Sequence, residues 1–192
     1  MSHGAVSIGF YGKLPVRGDF LRSGLPRSFV DPWDDWLQRG IAATQTREPD
    51  WVSAWLEAPI WRFLLPAGCC GDQAVLGVWM PSVDRANRYF PLTLAAVGDI
   101  TAAGAFLDAA EQAGVDALAH DWEPEALAER LQNAFGPGDA SDTQAADAGQ
   151  AQWWTAGGAR MPPRTILTHG LPESDEFPGM IDSDWVPAEL NQ

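Results

Sequence analysis

The chain has 192 residues, 46% hydrophobic and 20% charged, which suits one domain with a sizeable core and excludes wholesale disorder. Twelve Lys+Arg against 26 Asp+Glu give a formal net charge of -14. That argues against nucleic acid and anionic membrane as partners, because both need a basic footprint. Ten tryptophans are many for this length; tryptophan is favoured at interfaces, so some of them are candidates for a partner surface.

In chain order, Val6–Tyr11 reads as a first strand beside Gly12, and Lys13–Pro26 as an irregular stretch punctuated by Pro15, Gly18 and Gly24. Asp31 followed by Pro32 predicts a helix start, a capping carboxylate and then proline at the first helical position. Trp33, Trp36, Leu37 and Ile41 continue it at helical spacing to about Thr46. A short helix follows over Trp51–Glu57, with Trp51 and Trp55 on one face, and Pro59 ends it. Ile60–Leu65 and Ala74–Met80 are predicted strands joined by a turn at Pro66–Asp72, and Leu92–Val97 is a third. Thr101–Leu118 predicts an Ala-rich amphipathic helix with Gly114 as a candidate interruption, and Glu123–Phe135 another. Residues 136–150 are poor in large apolar side chains and read as a mobile surface loop. Ala151–Thr155 and Thr165–Thr168 predict two last strands around a Gly157-Gly158 turn, and a short helix lies near Glu173–Ile181.

This order predicts a single α+β domain over residues 1–192, a mainly antiparallel sheet of about five to six strands flanked by helices. The chain opening carries no charged region followed by an apolar stretch, and no apolar run approaches the ~20 residues of a membrane span. The only cysteines, Cys69 and Cys70, are neighbours, read as a reduced pair. The expected location is the cytoplasm.

Charge divides the chain. Residues 1–100 hold nine cations and ten acids, whereas residues 101–192 hold three cations and 16 acids. Lys13 is the only lysine. The run Gly9-Phe10-Tyr11-Gly12-Lys13 is not a phosphate loop: two residues separate the glycines instead of four, and Leu14 stands where a hydroxyl would reach magnesium. His3, His120 and His169 are not spaced as metal ligands, and no G-x-S-x-G or H-E-x-x-H pattern occurs. No cofactor and no metal are therefore expected.

Two runs are specified in unusual detail. The first is Gly9–Pro15 with Arg17-Gly18-Asp19-Phe20 and Arg22 behind it, read as a loop held by Arg17–Asp19 and Lys13 hydrogen bonds. The second is Pro81-Ser82-Val83-Asp84-Arg85-Ala86-Asn87-Arg88-Tyr89-Phe90-Pro91. Asp84, Arg85 and Arg88 are expected to form a salt-linked corner; the minority reading is that both arginines present forks to an anion. On a strand, Trp153 and Trp154 point to opposite faces, one into the core and one outward.

Together these runs resemble the TagF/ImpM family of type VI secretion-associated proteins. The resemblance rests on Gly9–Pro15, Gly18-Asp19-Phe20, Trp33 to Leu37, Pro59–Phe63, Gly77-Val78, Pro81–Arg85, Arg88–Leu92 and Trp153-Trp154-Thr155. It departs at Ala86-Asn87, where an apolar residue and a glycine are expected; asparagine tolerates the left-handed region better than most residues. The resemblance implies a longin-like sandwich and a non-enzymatic, post-translational repressor of secretion that acts on the forkhead-associated scaffold protein of the system. It supplies no catalytic residues. Lys13, Arg17, Asp19, Phe20, Arg22, Ser82, Asp84, Arg85, Arg88, Tyr89, Trp153 and Trp154 stand as interaction or structural-motif candidates. Binding is expected to use Lys13–Arg22 and the Arg85–Arg88 corner. The alternatives are a structural assembly factor, or a small hydrolase using Asp84, Arg85 and Arg88.

Overall fold

The computed structural model describes residues 6–47, 49–100, 105–134 and 149–185. The strands are β1 (Ser7–Gly12), β2 (Leu21–Ser23), β3 (Trp61–Leu65), β4 (Val75–Met80), β5 (Leu92–Val97), β6 (Ala151–Thr155) and β7 (Arg164–Thr168). The helices are α1 (Arg27–Arg47), α2 (Trp51–Leu56), α3 (Phe106–Ala119), α4 (Pro124–Ala134) and α5 (Pro178–Ile181). All seven strands join one antiparallel sheet in the order β2-β1-β5-β4-β3-β6-β7. The sheet thus has seven strands rather than five to six. The added strand is β2, three residues within the stretch predicted irregular, too short to show an alternating pattern.

Helices cover both faces, so the central strands are buried on both sides: every residue of β4 and β5 is buried. On one face Trp61, Phe63, Val75, Trp79, Ala95 and Trp153 meet α1, α2 and α5. On the other, Ile8, Phe10, Leu76, Val78, Met80 and Leu94 meet α3 and α4. Six of the ten tryptophans are fully buried. Five of these place the indole N–H on an acceptor: Trp33 on Thr93, Trp36 on Pro172, Trp55 on Ser82, Trp61 on Met180 and Trp153 on Thr168. That satisfies the polar end of a ring whose apolar body fills the core. Trp79 Nε1 is buried without a partner. The tryptophan surplus therefore builds a core more than a partner surface.

The start of α1 differs from expectation. It begins one turn early, with the Pro26 carbonyl accepting from Phe29 and Val30 N–H at 3.2 and 3.0 Å. Both of those side chains are buried, and their burial outweighs the local signal of Asp31-Pro32. Pro32 sits inside the helix and cannot bond the Ser28 carbonyl. That carbonyl faces the β3–β4 turn, where a Cβ on Gly71 would lie 2.7 Å from it. Gly114 does not interrupt α3; it lets the helix seat on Met80, whose Cε would lie 2.5 Å from an added Cβ. α5 is only four residues long, shorter than predicted. Cys69 and Cys70 are free, and burial pushes the Cys70 thiol up to about 12. The predicted loop over 136–150 lies outside the described residues except for its last two positions.

Arg160, beyond β6, ties three segments together. Its Nε donates to Glu57 at 2.6 Å, and its two terminal nitrogens to Asp182 at 3.1 Å and Asp50 at 3.0 Å. The same residue's carbonyl accepts from Ser183 N–H and Oγ.

Candidate functional site

The two specified runs meet at one corner of the sheet. Gly9 and Gly12 are there because backbones approach closely. A Cβ on Gly9 would overlap the Ser23 carbonyl of β2, and one on Gly12 the Pro91 carbonyl before β5. Gly12 also holds φ at 133°, a value L side chains rarely adopt. β1 is thereby clamped between its neighbours, and Lys13 leaves the strand pointing inward.

Lys13 is 2% exposed, so it is a buried residue and not part of a binding surface. Its Nζ donates to Asp84 Oδ2 at 2.6 Å and lies 4.3 Å from the centroid of Phe20. Asp84 is also buried. Its Oδ2 accepts a second bond from Arg88 Nε at 2.8 Å, while Oδ1 accepts the backbone N–H of Ala86 and of Arg88 at 2.8 and 2.9 Å. Burial alone would raise the Asp84 carboxyl, but the bonds from Lys13, the two backbone amides and the Arg88 guanidinium together hold it well below the usual carboxylate range. The partner of Asp84 in the interior is therefore Lys13, from the other run. Arg85, expected in the corner, is exposed and has no ion pair among the described residues.

The corner is a tight turn, with Asn87 N–H on the Asp84 carbonyl and Asp84 N–H on the Arg88 carbonyl. Asn87 takes φ at 57°, the left-handed value at the position where the family pattern places glycine. Ser82, also buried, donates its hydroxyl to the Lys13 carbonyl at 2.9 Å, a second link between the runs.

An aromatic group caps the pair. Phe20 stacks on Tyr11 at 6.1 Å and meets Phe90 edge-on at 4.8 Å, while 49% of it remains exposed. The Tyr11 hydroxyl donates to Asp34 on α1; burial and that bond push the phenol above its ordinary value. Tyr89 is half-buried and packs edge-on against Trp51 at 5.0 Å. Sequence reasoning missed Asp34 and Trp51, which sit on helices and carry no local signal of pairing with the corner.

Arg17 does not bond Asp19. It reaches across to Glu123, before α4, at 2.7 Å, and both side chains are more than half exposed. Asp19 and Arg22 are exposed. With Arg17 and Gly18 of the same loop, Leu21 and Ser23 of β2, and Pro124 and Glu125 of α4, they line a groove of about 490 Å3. The Arg88 guanidinium borders it, 3.9 Å from where a Cβ on Gly18 would stand. Trp153 and Trp154 lie away from this corner. Trp153 stacks on Trp33 in the core, and Trp154 faces the opposite side, in a cavity with Arg62 and Glu111.

Residues 9–134 match the family described as TagF N-terminal domain, type VI secretion system-associated. The chain belongs to this family. Its fold is similar to the crystal structure of PA0076 from Pseudomonas aeruginosa PAO1, with a TM-score of 0.80 and 31% sequence identity, covering 94% of this chain and 96% of that one. No curated protein matches the chain. The TagF domain makes this a type VI secretion system-associated protein. No helix among the described residues is long and apolar enough to cross a membrane, and no group of His, Cys, Asp and Glu among them is arranged to hold a metal ion.

Proposed function

We propose that this TagF-domain protein is a non-enzymatic, cytoplasmic regulator that represses type VI secretion post-translationally by binding a component of the system, the forkhead-associated scaffold being the expected partner. The observation that supports a binding role is the saturation of Asp84. Both its oxygens are filled, two donors each, so no lone pair is left to take a proton from a substrate. A hydrolase at this corner would need that carboxylate free. The specified residues instead build a rigid platform whose outward parts are Phe20, Arg22, Arg85 and the far side of Arg88, the aromatic and arginine chemistry that anchors protein interfaces.

Arg22 and Arg85 make no ion pair among the described residues, so Arg22→Glu with Arg85→Glu should leave the melting temperature within about 2 °C. The same variant should weaken binding of the purified forkhead-associated scaffold at least tenfold, read by calorimetry, and relieve repression in a secretion assay. Unchanged affinity and unchanged repression in the folded variant would refute this surface.

A further inference from the structure

The two edges of the sheet are finished differently. β2 has three residues, and α4 packs against it. β7 has five, and among the described residues no strand pairs with its outer side. Open strand edges template further strands unless charge or proline blunts them. Here the blunting stops early: Pro162, Pro163 and Arg164 are followed by Thr165, Ile166, Leu167 and Thr168. Leu167 is 59% exposed.

Both faces of this edge offer contacts to an added strand. On the α1 face a groove of about 300 Å3 separates β7 from α5, walled by Ile166, Met180 and Trp185. On the other face α3 packs on β4 and β5 and α4 on β1 and β2, away from the β7 edge. Leu167 stands opposite Gln152 there, and Thr165 opposite Trp154. An incoming strand would set alternate side chains against the mixed groove wall of Ile166, Met180, Trp185 and Glu176 on one face and against Leu167 on the other, while its backbone completes the ladder.

Charge selects the occupant. Residues 164–185 contain one cation, Arg164, and five carboxylates; Asp182 is buried and paired with Arg160, while Glu173, Asp175, Glu176 and Asp184 are exposed. Glu176 and Arg164 both line the groove wall, and the other exposed carboxylates leave the surrounding segment net acidic. A second copy of a chain with net charge -14 would bring the same acidic rim to a two-fold contact and be repelled. We propose that the outer edge of β7 is a docking edge for an extended, basic segment of a partner protein, taken up as an eighth strand.

The probe is a fluorescent peptide KVKVKVK, with EVEVEVE as its acidic counterpart and two versions of the basic peptide N-methylated on odd or on even residues. The basic peptide should bind saturably, slow amide hydrogen exchange in β7 and lose affinity as salt rises. EVEVEVE should bind at least tenfold more weakly, and only one of the two N-methylated phases should lose binding. Asp175→Lys with Glu176→Lys should reverse the charge preference, and Leu167→Lys, at an exposed position, should weaken the basic peptide in a protein that melts normally. The proposal is overturned if KVKVKVK leaves β7 exchange unchanged, if EVEVEVE binds equally well, or if β7 exchange slows with protein concentration alone, which would make a second copy the occupant.

Discussion

At Asp84 one buried carboxylate gathers a lysine, an arginine and two backbone amides; at Arg160 one half-buried guanidinium gives out hydrogen bonds to three carboxylates. Both nodes join segments distant in sequence. They differ in solvent: the Lys13–Asp84 pair is almost wholly enclosed, whereas Asp50 and Glu57 at the Arg160 node are 61% and 47% exposed. Water and salt can replace a lost partner at the second node and cannot at the first. Similar chemistry therefore gives a fixed structural joint in one place and a yielding tether in the other.

Removing one member of the enclosed pair breaks the comparison most directly. Asp84→Ala strands the Lys13 ammonium in the interior and takes the acceptor from the 86 and 88 amides, and loss of one partner from a buried pair costs about 3–5 kcal/mol. The urea midpoint should fall accordingly at pH 7, with no relief from 1 M NaCl. A midpoint equal to that of the wild type would mean that the pair contributes nothing net.

A smaller effect comes from acid. The folded-state carboxyl of Asp84 is held below its unfolded value, so its contribution is complete above an unfolded pKa of about 4 and is lost as the pH falls toward the depressed folded value. Urea midpoints of the wild type and of Asp84→Asn should differ most at neutral pH and converge below about pH 4. A gap that stays constant down to pH 2 would show that Asp84 is not the linked group.

The smallest effect is expected at the tether. Hydrogen bonds to Glu57, Asp182 and Asp50 raise the Arg160 guanidinium above its already high value, and solvent screens the node. Arg160→Ala should lower the melting temperature by less than Asp84→Ala does, and the deficit should shrink between 0.05 and 1 M NaCl. A salt-independent deficit would mean that the packing of the arginine stem, not its charge, joins the segments.

The sequence was most legible where the pattern is local and least legible where partners are distant. Leu92–Val97 and Ala151–Thr155 are predicted at their observed bounds, because a short apolar run between turn residues leaves few alternatives. The start of α1 was obscured because Asp31-Pro32 fits a helix start as well as any pair, and only tertiary burial of Phe29 and Val30 overrides it. The two motif runs could be singled out by their mix of glycine, proline and charge. Their joint could not: Lys13 and Asp84 are 71 positions apart, and they meet only once β1 and the turn after β4 flank β5. The one hint was that Lys13 is the sole lysine among twelve cations.

The strand order also dictates a timetable for synthesis. Ser7 is made early, yet its partner in the sheet is Val97. At roughly 5–20 residues per second, β1 and β2 wait on the order of 5–20 s before β5 exists to receive them. The β3–β4–β5 meander is made of adjacent partners and can form as soon as it is made, whereas β1 and later β6 must close over long separations, the step that slows sheets of this kind. During that interval the Gly-Phe-Tyr-Gly strand is an open edge in a growing chain. The glycines that fit β1 between β2 and β5 at the end of folding also offset the strand preference of Ile8, Phe10 and Tyr11 while it waits, which lowers its tendency to pair with the wrong strand.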